Sequence, residues 1–173
     1  MSKQARNSMA AVMTVLVTIV MWMTAIIGIV FLASVGAAII AFHNGGSIDA
    51  LNISVTDGTN RLPALVAGLI GGLVVIPAII YVCIQLRRIL ATLAEGDPFV
   101  PENAVRLTRV AATIAITQLL CIAVALVISL IFDQTRIDFN LDLIAWASVA
   151  ALFILSQVFR EGTRLRDEEK MTI

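Results

Sequence analysis

Four long stretches of the chain contain no Asp, Glu, Lys or Arg, and short polar segments separate them. The uncharged stretches are 7–48, 62–86, 110–132 and 143–159. A membrane hydrocarbon core of roughly 30 Å requires about 20 apolar residues in helical conformation. Three stretches fit one span each, and the first, which lacks an internal turn, fits one long or tilted helix. The pattern predicts four membrane-spanning helices, at about 10–42, 63–87, 108–132 and 141–160.

Composition agrees with membrane residence. Hydrophobic residues make up 60% of the chain and charged residues 14%, whereas soluble domains contain about 45–50% apolar and about 25% charged residues. The first apolar run far exceeds the roughly 7–15-residue core of a signal peptide, so we interpret it as a retained span. The predicted fold class is an all-α integral membrane protein, a bundle of four transmembrane helices forming one domain over residues 1–173.

The polar segment between the second and third apolar stretches has helical patterning of its own. Apolar residues recur at i, i+3, i+4 and i+7, which places them on one face of a helix that continues beyond the apolar run. These residues are Leu86, Ile89, Leu90 and Leu93. Gly96 is suited to end that helix, Pro98 to form a turn, and Pro101 to begin the next helix. We predict that long second and third helices form a hairpin, with residues 88–107 beyond the membrane.

Basic residues concentrate at one end of the predicted spans. Ten of the 12 lysines and arginines flank the end that carries the termini and the hairpin, whereas Arg61 and Arg136 lie at the other end. Cytoplasmic segments of membrane proteins carry such an excess of Lys and Arg. We therefore predict a multi-pass protein of the bacterial cytoplasmic (inner) membrane, with both termini, the hairpin and the tail 161–173 in the cytoplasm.

The predicted outer loops, 43–62 and 133–140, contain short segments of alternating apolar and polar residues. The apolar positions are Leu51, Ile53 and Val55 in the first segment and Ile137, Phe139 and Leu141 in the second. A two-residue period is typical of a β-strand, and a lone strand leaves its backbone groups unpaired. The two segments are therefore predicted to pair as a small β cap.

The sequence offers little material for catalysis or metal binding. No Asp, Glu, Lys, Arg or His side chain lies deep in a predicted span, and His43 is the single histidine. His43 and the outer aspartates could face a divalent cation, but solvation of the outer surface explains them equally well. Neither a nucleophile–base pair nor a phosphate-binding glycine loop is present. We predict no enzymatic activity, no metal site and no cofactor.

Small and polar residues inside the spans have two interpretations. Gly68 and Gly72 continue a four-residue repeat of small residues that lets helices approach closely, and Pro77 is expected to kink the second helix. Gln118 lies near the middle of its span. It either hydrogen-bonds across helices or, with Pro77, lines a path for a transported solute.

The hairpin and tail are the best candidates for a protein-binding surface. The candidate docking residues are Arg87, Arg88, Gly96, Pro98, Phe99, Asn103, Arg106, Arg164 and Ile173. Phe99 is an apolar group of the kind that anchors interfaces. It could instead fold back on the tail, at Leu165, Met171 and Ile173. The arginines equally fit a topology signal that attracts anionic lipid headgroups.

Two segments resemble motifs of a bacterial family of small four-span membrane proteins that is known only as a domain of unknown function. The first is Leu86-Arg87-Arg88-Ile89-Leu90, followed by Gly96-Asp97-Pro98-Phe99, Glu102-Asn103 and Arg106-Leu107; the second is Phe159-Arg160-Glu161-Gly162-Thr163-Arg164-Leu165 with the end Met171-Thr172-Ile173. Met171 stands where the family's closing motif has leucine. The resemblance covers the chain from the second helix onward, and the first helix agrees only in layout.

Members of that family are often encoded beside a small helix-turn-helix regulator of the repressor type. The resemblance therefore implies a membrane protein that holds or inactivates a transcription factor without contacting nucleic acid itself. The partners expected are the lipid bilayer and a cytoplasmic regulator, and a homo-oligomer is left open. The alternative function is a small transporter or an accessory subunit of a membrane complex.

Overall fold

A computed structural model describes residues 3–43, 61–95, 99–131 and 142–171, and these residues form four α-helices. The helices are α1 (Lys3–His43), α2 (Arg61–Glu95), α3 (Pro101–Ile131) and α4 (Leu143–Met171). The all-helical fold class is confirmed, and no strand occurs in the described ranges. Both segments of the predicted β cap lie outside them.

Each helix is long and apolar enough to cross a membrane. The apolar regions are Ala10–Ile40, Pro63–Glu95, Pro101–Ile131 and Leu143–Arg166. The shortest helix, α4, has 29 residues and is therefore about 44 Å long at 1.5 Å per residue. That length exceeds a hydrocarbon core of roughly 30 Å, so helical turns extend beyond it. The chain is a multi-pass membrane protein.

The described start of α4 is fixed by its N-cap. Asp142 Oδ1 accepts hydrogen bonds from the backbone N–H groups of Ile144 and Ala145, both at 3.1 Å. The Asp142 carbonyl accepts the first bond of the helix, from the Trp146 N–H at 3.1 Å. An aspartate in this position satisfies N–H groups that the first turn would otherwise leave without partners.

The four helices pack in chain order. Among the described residues, Cα atoms approach within 8 Å between α1 and α2, α2 and α3, and α3 and α4, and between no other pair of helices. The bundle is therefore open, a row in which α1 and α4 occupy the two ends. Large apolar side chains consequently remain on the surface, as at Leu130, which is 82% exposed. Lipid tails are as apolar as these side chains, so such exposure costs little in a membrane.

Glycines set the spacing between α1 and α2. A Cβ atom built on Gly72 would lie 3.0 Å from the Phe31 ring and 3.1 Å from a Leu32 methyl group, and one on Gly28 would lie 2.8 Å from Ile76. A Cβ on Gly68 would meet Phe31 at 3.7 Å, an ordinary contact distance. The close approach therefore centres on Gly72 and Gly28, with Gly68 at its edge. The helix α2 runs through Pro77 without a break.

Candidate functional site

Side-chain hydrogen bonds join α2 to α3 near the hairpin. Asn103, fully buried, donates from Nδ2 to Thr92 Oγ1 at 2.7 Å. Arg106 donates from Nη1 to Asn103 Oδ1 at 2.9 Å and to the Arg88 carbonyl at 3.2 Å. A buried amide that engages both its oxygen and its nitrogen is well satisfied. Asn103 and Arg106, which the sequence placed on a docking surface, therefore hold the two arms of the hairpin together.

A second set of hydrogen bonds fixes α4 against α3. The Thr108 and Ser156 hydroxyl oxygens are 2.7 Å apart, and Ser156 is buried. Thr108 donates to the Ala104 carbonyl at 3.0 Å, so Ser156 is the donor in the pair. Hydroxyl groups that bond across helices in this way supply specific adhesion where lipid provides no hydrophobic drive.

Phe99 forms the junction between the hairpin and α4. Its ring packs against Phe159 with centroids 5.6 Å apart and planes inclined at 41°. A Cβ on Gly162 would lie 2.9 Å from two carbons of the Phe99 ring, so only glycine leaves room for the ring there. The Thr163 hydroxyl donates to the Phe159 carbonyl at 2.9 Å and lies 3.3 Å from the Phe99 carbonyl. We call this arrangement the Phe99 junction.

Phe99 was predicted either to anchor a protein partner or to fold back on the tail, and the Phe99 junction bears on both interpretations. Phe99 packs on the tail helix, but through Phe159 and Gly162, and Leu165 is 55% exposed. The side chains of Met171 and Ile173 lie outside the described residues. Gly162 was missed as a contact residue from sequence. The signal available was its position three residues after Phe159, which places both on one face of a helix.

Those of the remaining candidate docking residues that the structure describes lie on different surfaces. Arg164 forms ion pairs along α4 with Glu161 at 2.6 Å and Glu168 at 3.6 Å, all exposed, and exposed pairs of this kind contribute little to stability. Arg87 and Arg88 line a cavity between α1 and α2. Gly96, Pro98 and Ile173 lie outside the described residues. The structure therefore separates the two arginines from the Phe99 junction.

Within the described parts of segments 88–107 and 161–173, three large apolar side chains are exposed. Phe99 is 41% exposed despite its packing, and Val105 and Leu165 are 42% and 55% exposed. Val105 comes before Arg106 and Arg109, the arginines that precede the uncharged stretch of α3, and Leu165 comes after the uncharged stretch 143–159 of α4. These groups therefore lie beside the charged residues that bound the uncharged stretches.

Two cavities lie side by side in the apolar part of the row. One, of about 510 Å³, lies between α1 and α2, and the other, of about 320 Å³, lies between α2 and α3; Val75 and Ile79 line both. Gln118 and Cys121 line the second cavity. Pro77 is exposed and lines neither cavity.

Two glutamines in the apolar part of the helices are not fully satisfied. In the described part of the chain, the side chain of Gln118 makes no hydrogen bond, and Gln85 Oε1 is buried without a partner. Gln85 lies seven residues before Thr92, which places it on the same face of α2, toward α3. Buried polar atoms are normally paired, so the Gln85 oxygen is an exception, whereas Gln118 is only half-buried.

The described residues contain no group of three or more His, Cys, Asp or Glu side chains that could hold a metal ion. Cys83 and Cys121 are both free thiols, the first buried and the second half-buried. The helices therefore hold two thiols in different environments.

Comparison with known families matches residues 51–173 to a family described as "Protein of unknown function (DUF2975)". The matched part includes α2, α3, α4 and the whole Phe99 junction. It also agrees with the resemblance found from α2 onward. Neither a comparison with curated proteins nor one with solved structures gave a match.

Proposed function

This chain belongs to the DUF2975 family of proteins of unknown function, and we propose that it is a non-enzymatic protein of the bacterial inner membrane that binds a soluble cytoplasmic partner. The hairpin end faces the cytoplasm because ten basic and seven acidic residues flank it, whereas two basic and five acidic residues flank the opposite end. Positive charge left on one side of the spans favours a cytoplasmic location for that side.

The observation that supports the docking role is the Phe99 junction. It fixes the hairpin and the extension of α4 relative to each other through the contact of Phe99 with Phe159 and Gly162. A surface ordered before binding loses less conformational entropy when a partner arrives. The exposed parts of Phe99, Val105 and Leu165 then provide apolar contact groups, and exposed apolar groups rimmed by charge are typical of protein interfaces.

The partner we propose is a small helix-turn-helix regulator encoded beside the gene. The segments predicted to lie beyond the membrane, 88–107 and 161–173, together carry five basic and seven acidic residues. This excess of negative charge favours a partner with a basic surface. Capture at the membrane lowers the concentration of regulator that is available to its operator.

The test is co-purification of the co-expressed regulator with the membrane protein. Leu165→Glu places a charge in the apolar contact area, and we expect it to abolish recovery of the regulator while insertion into the membrane is unchanged. Leu165→Met is the matched control, because it keeps an apolar side chain of similar volume, and we expect it to bind normally. Equal recovery with Leu165→Glu and Leu165→Met would refute the proposed surface.

A second candidate function, a path for a small solute between α2 and α3, is favoured by Gln118. This side chain lines the cavity of about 320 Å³ and makes no hydrogen bond in the described part of the chain. A transport path predicts solute flux in liposomes that Gln118→Leu reduces. It also predicts water in the cavity, so that a small thiol reagent modifies Cys121 faster than the buried Cys83. Equal protection of both thiols would contradict it.

An accessory role in a larger membrane complex would use the same apolar groups. Crosslinking in the native membrane followed by mass spectrometry distinguishes the two cases. Capture of an integral membrane protein by α1 or α4 favours the accessory role, whereas capture of a soluble protein by the hairpin end favours the regulatory one.

A further inference from the structure

A cavity with two arginines lies between α1 and α2, away from the Phe99 junction. It has a volume of about 350 Å³ and is lined by Thr14, Ile84, Arg87, Arg88 and Ala91. The two arginines come directly after the uncharged stretch 62–86. The cavity therefore lies where α2 leaves the apolar part of the membrane, at the depth of the lipid headgroups.

We propose that this cavity binds the phosphate of an anionic membrane phospholipid. Neither Arg87 nor Arg88 has an ion-pair partner in the described part of the chain. Guanidinium groups bind phosphate oxygens through paired N–H donors, and basic pockets between membrane helices bind anionic headgroups. Thr14 donates its hydroxyl proton to the Ala10 carbonyl at 2.8 Å, so recognition of the phosphate falls to the two guanidinium groups.

The charges around the cavity favour an anion. On α2, the nearest acidic residue beyond the arginines is Glu95, seven residues after Arg88 and therefore about 10 Å further along the helix axis. The backbone of α1 continues past Thr14 to Lys3, and this first part of the helix carries two basic residues and no acidic one. The local field is positive, and a bound phosphate relieves the repulsion between the arginines.

The surface next to the cavity favours a lipid over free phosphate. Ile84, three residues before Arg87, lines the cavity on the side of the uncharged stretch 62–86, and the half-buried Val17 lies on the same face of α1 as Thr14. The acyl chains of a phospholipid held at the arginines would lie against these groups. A free phosphate ion would interact only with the two arginines. The headgroup of a phospholipid would make the same interaction while its acyl chains stayed in the apolar part of the membrane.

Native mass spectrometry of the full chain in detergent tests the proposal. The protein receives equal amounts of phosphatidylglycerol and phosphatidylcholine, and the ratio of the two bound forms is measured. We expect the wild-type protein to prefer phosphatidylglycerol. Each arginine near an anionic group contributes about 5-fold in affinity, so Arg87→Gln with Arg88→Gln is expected to lower the preference by roughly 25-fold.

The matched control is Arg109→Gln. Arg109 is an exposed arginine at the boundary of α3 that does not line the cavity, and we expect its loss to leave the preference unchanged. An equal loss in Arg109→Gln would show a general charge effect and overturn the site, as would equal binding of the two lipids by the wild type. Displacement of the lipid by millimolar inorganic phosphate would assign the cavity to a free anion and overturn the lipid.

Discussion

Substituting Gly162 by alanine tests the Phe99 junction directly. The added Cβ would lie 2.9 Å from two carbons of the Phe99 ring, closer than any relaxed contact, so either the ring or α4 must move. Overpacking of this kind costs about 1–3 kcal/mol. Against that cost, alanine is favoured over glycine inside a helix by about 0.8–1 kcal/mol. We therefore expect Gly162→Ala to lower the unfolding free energy by up to about 2 kcal/mol.

The same substitution should have the opposite sign when the ring is absent. Phe99→Ala removes the pair with Phe159, which is worth about 0.5–1.5 kcal/mol beyond its buried area, and it leaves space beside residue 162. In that background, Gly162→Ala keeps only the gain in helix propensity and is expected to stabilise by about 1 kcal/mol. The difference between the two backgrounds predicts a coupling energy of about 1–3 kcal/mol.

Two measurements check the coupling. Unfolding in mixed micelles with increasing SDS gives the free energy of all four proteins of the double-mutant cycle. Trypsin cleavage at Arg160 and Arg164 reports locally on whether α4 remains docked, and we expect faster cleavage in Gly162→Ala than in the wild type. Identical effects of Gly162→Ala in the two backgrounds, within the roughly 0.3–0.5 kcal/mol expected for independent sites, would refute a contact between residues 99 and 162.

Three further predictions concern residues at the contacts between helices. Gly72→Ala should destabilise the pairing of α1 with α2, whereas Gly71→Ala, whose added Cβ has nothing within 4 Å, should not; heat-induced aggregation in detergent compares the two. Gln85→Leu removes a buried oxygen that has no partner in the described part of the chain and should be neutral or stabilise by about 1 kcal/mol; a clear loss in SDS-induced unfolding would reveal a hidden partner. Asn103→Ala breaks the bonds to Thr92 and Arg106 and should cost about 2 kcal/mol in the same assay; unchanged stability would contradict the structural role.

Part of the candidate site was visible in sequence and part was not. Phe99 can be identified from the sequence because it is an apolar residue outside the predicted spans. The arginines can be identified because they are charged and lie at the ends of those spans. The sequence does not separate the roles of the individual arginines. A basic residue beside a membrane span occupies the same kind of sequence position whether its side chain bonds a neighbouring helix, an acidic residue or a lipid. The structure assigns Arg106 to the first role, through its bond to the Arg88 carbonyl on α2, and Arg164 to the second, and it leaves Arg87 and Arg88 at a cavity.

The sequence by itself determined that the chain spans a membrane and forms four long helices, because crossing a bilayer depends on the summed hydrophobicity of a continuous segment. It also placed the boundaries of the α2–α3 hairpin, through local signals for the end and start of a helix. Only the tertiary structure decided that the helices pack as an open row and that Phe99 meets Gly162, 63 positions further along the chain. These contacts depend on the rotation and axial position of each helix. In lipid all faces of a spanning helix can be apolar, so periodicity does not mark the face that packs.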